Sequence, residues 1–217
     1  MRIQRKLVSY AAGVVGAAAL ALLSPAALAN TVTGDVWFVS NPIASAATPG
    51  NVPVTAPNVI FTAPSPLNFT TGDYTVGGFL GTGGATIVSS TPGALTTTIN
   101  SGGGGILIDF TGTVTVTTGE TFTVQHDDGL TLVIGGVTVI SEPGPTAAVT
   151  TTATYTGGPG NLAFNLVYGE CCGAPAVLNI SLPLVTVTGV PEPDSVVLSA
   201  AGLLGLGAFA VRRRRNS

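Results

Sequence analysis

Two adjacent pairs in this chain have side chains able to do chemistry, Asp127-Asp128, followed by Gly129, and Cys171-Cys172. Neighbouring carboxylates with no base beside them repel each other, and a hard cation that takes oxygen ligands relieves the repulsion. Ca²⁺ fits, since it is held by several oxygens at roughly 2.3–2.6 Å. The plainer reading is a hairpin, because Asp-Gly is ordinary turn chemistry and a turn leaves its carboxylates in water. The chain has no other cysteine, so Cys171 and Cys172 close a vicinal ring, bridge to other molecules, or remain thiols. Their Cα atoms stand about 3.8 Å apart across a trans peptide, below the usual disulfide span. His126 is the single histidine, which argues against a zinc site with four nitrogen or sulfur ligands.

The charges define the surroundings of these pairs. All seven basic residues lie at the ends, Arg2, Arg5 and Lys6 and then Arg212, Arg213, Arg214 and Arg215. Residues 30 to 190 hold no Lys or Arg but eight acids: Asp35, Asp73, Asp109, Glu120, Asp127, Asp128, Glu142 and Glu170. The middle therefore carries −8, although the whole chain sums to −3. No basic patch is present for nucleic acid, and no Arg clamp or P-loop Lys for phosphate chemistry. A glycosidase needs two facing carboxylates, and nothing in the spacing selects a pair. A nucleophilic serine site would need His126, yet there is no Gly-x-Ser-x-Gly elbow. The chain is read as a non-enzyme, with His126 a solvated or hydrogen-bonded surface residue at a turn.

The two ends read as addresses. Arg2 to Lys6, an apolar stretch from Leu7 to Leu23 and Ala27-Leu28-Ala29 form a secretory signal over residues 1–29, cut by signal peptidase between Ala29 and Asn30. An uncleaved anchor is the alternative. At the other end Pro191-Glu192-Pro193 precedes an apolar run from Val196 to Val211 and the four arginines. This predicts a transmembrane helix over 195–211 with a cytoplasmic tail, which leaves residues 30–189 outside. The arrangement of residues 190–217 resembles the PEP-CTERM sorting signal. The resemblance implies a Gram-negative-type bacterium whose exosortase cuts near Pro191-Glu192-Pro193. The protein would be anchored in the inner membrane only transiently, then pass to the cell surface or extracellular matrix; a permanent single-pass anchor is the alternative.

The exported part, 30–189, must position the two pairs. It is dominated by Thr, Val, Ile and Gly with little helical periodicity, a composition that favours strands. The first third is broken by Pro42, Pro49, Pro53, Pro57, Pro64 and Pro66, and predicts only strands near Val36–Val39 and Val59–Thr62. Short strands are predicted at 74–76, 86–88, 95–99, 106–110, 113–117, 121–125, 130–134, 137–140, 149–155, 162–168 and 177–184, with turns between them. Such a series argues for an all-β antiparallel sandwich or barrel.

Residues Thr121 to Gly136, with a strand ending in two aspartates and a glycine, an apolar strand and a glycine turn, resemble the PA14 family of β-sandwich domains. Gly160 to Ile180 continues the likeness, which is best over 106–184. The resemblance implies carbohydrate binding, with Asp127 and Asp128 as the pair that chelates Ca²⁺ in calcium-dependent members and a cis peptide between them. Asn165 and Glu170 are candidate additional oxygen donors. Gly135-Gly136 departs from the family, where an aspartate is often found in that turn. The functional expectation is a module that interacts with extracellular polysaccharide; the alternative is a purely structural surface or biofilm matrix protein with no ligand site.

Overall fold

The computed structural model describes residues 30–71, 74–99 and 104–185. The expected signal segment 1–29, the expected transmembrane helix 195–211 and the residues of the expected sorting motif lie outside the described residues. Among the described residues no helix is long and apolar enough to cross a membrane.

Alternation of apolar and polar side chains builds the strands. β1 (Thr31–Ser40), β2 (Val59–Pro64), β4 (Thr86–Ser90), β5 (Gly104–Val116), β7 (Leu130–Ile134), β8 (Val137–Glu142) and β10 (Gly160–Glu170) form one sheet in the order β4-β2-β1-β5-β10-β7-β8. β3 (Leu67–Thr70), β6 (Thr121–Asp127), β9 (Val149–Thr154) and β11 (Val177–Ile180) form the other, in the order β3-β11-β6-β9. Neighbouring strands are antiparallel throughout. One face of β2, β3 and β6 enters a shared core, as their alternating burial shows, while the edge strand β4 is exposed throughout. The expected all-β antiparallel sandwich is the observed architecture.

The core has an aromatic spine. Phe61 meets Phe110 edge-on at 5.7 Å between centroids, and Phe110 lies 5.7 Å from Phe69. Phe69 stacks on Phe79 at 5.3 Å, and Phe79 stacks on Tyr168 at 5.9 Å. All five rings are fully buried. The spine thus runs from the middle of the sandwich to Tyr168 near the end of β10.

Several expected boundaries move. Residues 74–76 and 95–99, expected as strands, contribute only the single bridge between Thr75 and Thr98. Val76–Thr82 is a helix, α2, and Ala94–Thr96 a 3-10 turn; α1 (Asn41–Ala44) is a helix of one turn. The signal for α2 was its spacing, with Val76, Phe79 and Leu80 on one face and all buried. Thr75 caps it, its hydroxyl accepting from the Gly78 N–H at 3.0 Å. Residues 106–110 and 113–116 belong to one strand, β5, because Gly112 lets the chain pass directly under the Phe164 ring. β3 was not expected, since Pro64 and Pro66 flank it; it survives as an edge strand.

Candidate cation and ligand site

The largest correction concerns Asp128-Gly129. β6 and β7 do not pair with each other: β6 pairs with β11 and β9, and β7 with β10 and β8. The expected hairpin is therefore a corner at which the chain leaves one sheet for the other. Both inner faces of Thr121–Ile134 are apolar, and crossing lets each half bury its face in the same core. Gly129 is needed at this corner, because a Cβ there would lie 2.3 Å from the Pro143 carbonyl oxygen. Gly129→Ala should lower the urea midpoint by an amount equivalent to about 1–3 kcal/mol. An unchanged midpoint would mean that the Pro143 backbone moves aside freely.

The corner takes its carboxylates inside. Asp127 is 4% exposed, Asp128 5% and Glu170, the last residue of β10, 0%. One carboxylate oxygen from each lies within 4.8 Å of the others. The Asp127-Asp128 peptide is cis. Asp128 Oδ1 accepts from the Thr146 N–H at 3.1 Å and Oδ2 from the Cys171 N–H at 2.8 Å. Its own N–H donates to Glu170 Oε2 at 3.1 Å, which also accepts from the Tyr168 hydroxyl at 2.9 Å. Tyr168 in addition bonds the Asp127 carbonyl oxygen, so the aromatic spine of the core ends on the acidic corner.

His126 is hydrogen-bonded but lies in the interior, not at the surface as expected. It is 1% exposed, its Nδ1 donates to the Asp128 carbonyl at 2.6 Å and its Nε2 meets the Thr151 hydroxyl at 2.9 Å. It pins the corner to β9. Sequence reasoning missed Tyr168 and the loop between β8 and β9, whose backbone N–H groups at Thr146 and Ala148 bond Asp128 and Asp127. Those contacts are long-range and main-chain, so residue identity carries no trace of them.

Burial raises the pKa of both aspartates. At Asp127 desolvation is joined by the negative charge of Asp128, against the Ala148 N–H. At Asp128 desolvation outweighs the opposing hydrogen bonds from Cys171 and Thr146. Tyr168 is pushed far up by burial and by the Glu170 charge. A buried cluster of this kind is unfavourable as bare anions. Its oxygen-only donor set suits a hard cation, and no Lys or Arg occurs between residues 30 and 190 to take that place.

Of the candidate ligands, the fold brings Glu170 to the aspartate pair and keeps Asn165 away. Asn165 lies five residues back along β10, about 17 Å distant, and on the opposite face of the sheet. Its amide instead donates to the Asp109 carboxylate. Cys171 and Cys172 close the vicinal ring, with Cα atoms 3.8 Å apart. Together with the aspartates, residues 145–148 and 172–175 line an open cleft of about 640 Å³. Its rim is formed by Pro145, Ala147, Ala148, Ala174, Pro175 and Cys172.

Residues 189–215 match the PEP-CTERM protein-sorting motif. The chain carries that sorting signal, which marks it for export to the surface or the extracellular space. The sandwich is similar to the PA14 sugar-binding domain of an RTX adhesin, with a TM-score of 0.51 at 19% identity over 71% of this chain and 89% of that one. It is also similar to the PA14 domain of the MpAFP antifreeze protein, with a TM-score of 0.50 at 16% identity over 77% and 87% of the two chains. At these identities the likeness establishes the PA14 fold. No curated protein matches the chain significantly.

Proposed function

We propose that this protein is an exosortase-processed, non-enzymatic module that binds extracellular polysaccharide through a Ca²⁺ ion held by Asp127, Asp128 and Glu170. The observation that carries the reading is the convergence of three buried carboxylates, two of which line an open cleft, with no basic side chain in the exported part. Once bound, the ion neutralises most of this charge and presents open coordination positions to the hydroxyls of a sugar. The aspartate oxygens are already held by backbone donors from two different loops, so little order has to be gained on binding. The apolar rim suits the C–H face of a sugar ring, and the fold it shares with a sugar-binding PA14 domain supports the same reading.

Glycan-array binding in millimolar Ca²⁺, repeated with a chelator, tests the proposal. Binding in Ca²⁺ that disappears with chelator and in Asp128→Ala supports it. No binding under either condition leaves the purely structural reading of a surface or matrix protein.

A further inference from the structure

Two groups of metal-ligating side chains exist among the described residues, and they share Asp128. One is the carboxylate triad; the other is Asp128 with Cys171 and Cys172, whose ligand atoms also lie within 4.8 Å of one another. We propose that the Cys171–Cys172 disulfide is a redox gate at this corner, and that its reduction creates a site for a thiophilic divalent cation such as Zn²⁺ or Cd²⁺.

The argument begins from ligand chemistry. A disulfide sulfur has no thiolate charge and is a poor metal ligand, so the closed ring leaves only the hard carboxylate donors. Opening the ring adds two thiolates, which favour Zn²⁺ or Cd²⁺ over Ca²⁺. The shortage of nitrogen and sulfur ligands that argues against zinc from sequence is met in part by oxygen: zinc also accepts carboxylate, and Asp128 supplies it, with solvent free to complete the shell. The Cys171 N–H on Asp128 Oδ2 is a backbone bond and ties the carboxylate to the first cysteine whether the ring is closed or open.

Access is also built in. Cys171 is fully buried, while Cys172 is exposed and lines the cleft. A dithiol reductant attacks Cys172 Sγ; the S–S bond breaks, and Cys171 leaves as a thiolate that takes up a proton. The second thiol of the reductant then displaces Cys172 from the mixed disulfide. Two electrons pass to the protein, and the reductant ends as its own disulfide. The cation binds with release of both thiol protons to solvent.

Neither Ca²⁺ nor glycan binding is needed for this inference, so the two readings fail separately. The test is titration of the purified protein with Cd²⁺ alone, before reduction and after treatment with a dithiol followed by anaerobic desalting. The ultraviolet absorption of sulfur-to-cadmium charge transfer reports the site. The expected result is a band that saturates at one Cd²⁺ per chain in the reduced protein and is absent in the oxidised one. Cys172→Ser should lose it, and Asp128→Asn should weaken Cd²⁺ binding by roughly tenfold or more. The proposal is overturned by no band after reduction, by saturation at one ion per two chains, or by equal affinity in Asp128→Asn. Far-UV circular dichroism of the reduced chain is recorded alongside, and a band from a chain without its β-sheet spectrum also overturns it.

Discussion

Ca²⁺ at about one hundred times its dissociation constant is expected to stabilise the folded chain by about 2.7 kcal/mol. For a domain of this size that corresponds to a rise in melting temperature of roughly 5–11 °C. The effect follows from what the ion replaces. Burial raises the pKa of both aspartates, joined at Asp127 by the negative charge of Asp128. A carboxyl whose folded pKa is raised contributes stability below its unfolded pKa and loses it as pH rises through the folded value. The metal-free corner therefore weakens as pH rises from about 4. The ion competes with those protons, so its stabilising effect should grow over the same interval. Differential scanning calorimetry at pH 5 and pH 7.5, with Ca²⁺ or with chelator, checks both the size and the trend. Asp128→Ala should abolish the shift. Wild-type protein that shows no shift up to millimolar Ca²⁺ ends the Ca²⁺ reading.

Asp109→Asn is expected to stabilise the protein at neutral pH. Asp35 in β1 and Asp109 in β5 sit directly opposite each other on adjacent strands. Like charges so placed are destabilising. Desolvation, with Asp35 adding its charge, raises Asp109 to about 6 despite the hydrogen bond from Asn165. Asp35 is raised by desolvation as well, and its Oδ1 is buried without a donor. The folded chain thus holds a proton at this pair that the unfolded chain releases near pH 4, and stability falls as pH climbs from about 4 to about 6. After a discount for its partial exposure the loss is on the order of 1–2 kcal/mol. In Asp109→Asn the amide oxygen still accepts from Asn165, and the new N–H₂ supplies a donor for Asp35. Urea denaturation in chelator should show a higher midpoint at pH 7.5 and a flatter profile between pH 4 and 6. A variant no more stable than wild type at pH 7.5 would show that water already separates the two carboxylates.

Both expectations rest on juxtapositions of very different legibility. Asp35 and Asp109 each interrupt an apolar strand, in Gly-Asp-Val-Trp-Phe and Leu-Ile-Asp-Phe. That each is unusual can be seen locally, but the register that sets them opposite cannot. The Asp127-Asp128 pair was visible as an isolated motif, and the same letters supported two environments. As a hairpin tip it would be wet; as a crossing between sheets it is dry. Nothing within Thr121–Ile134 distinguishes the two, because the choice depends on which strands lie ready to pair on each side.

Local patterns were enough for whatever depends on local physics. The C-terminal sorting signal is a contiguous run of prolines, apolar length and positive charge. The all-β character follows from β-branched alternation, which each strand expresses by itself. The absence of bases over residues 30–190 is a matter of composition. Pairing belongs to the folded chain. Glu170 stands 42 residues from Asp128 and reaches it because β10 and β6 end at the same edge of the sandwich. Asn165, on the same strand as Glu170, is sent to Asp109 by the two-residue period of the pleat. The packing of two sheets on one core thus turns two adjacent aspartates into a buried three-carboxylate site.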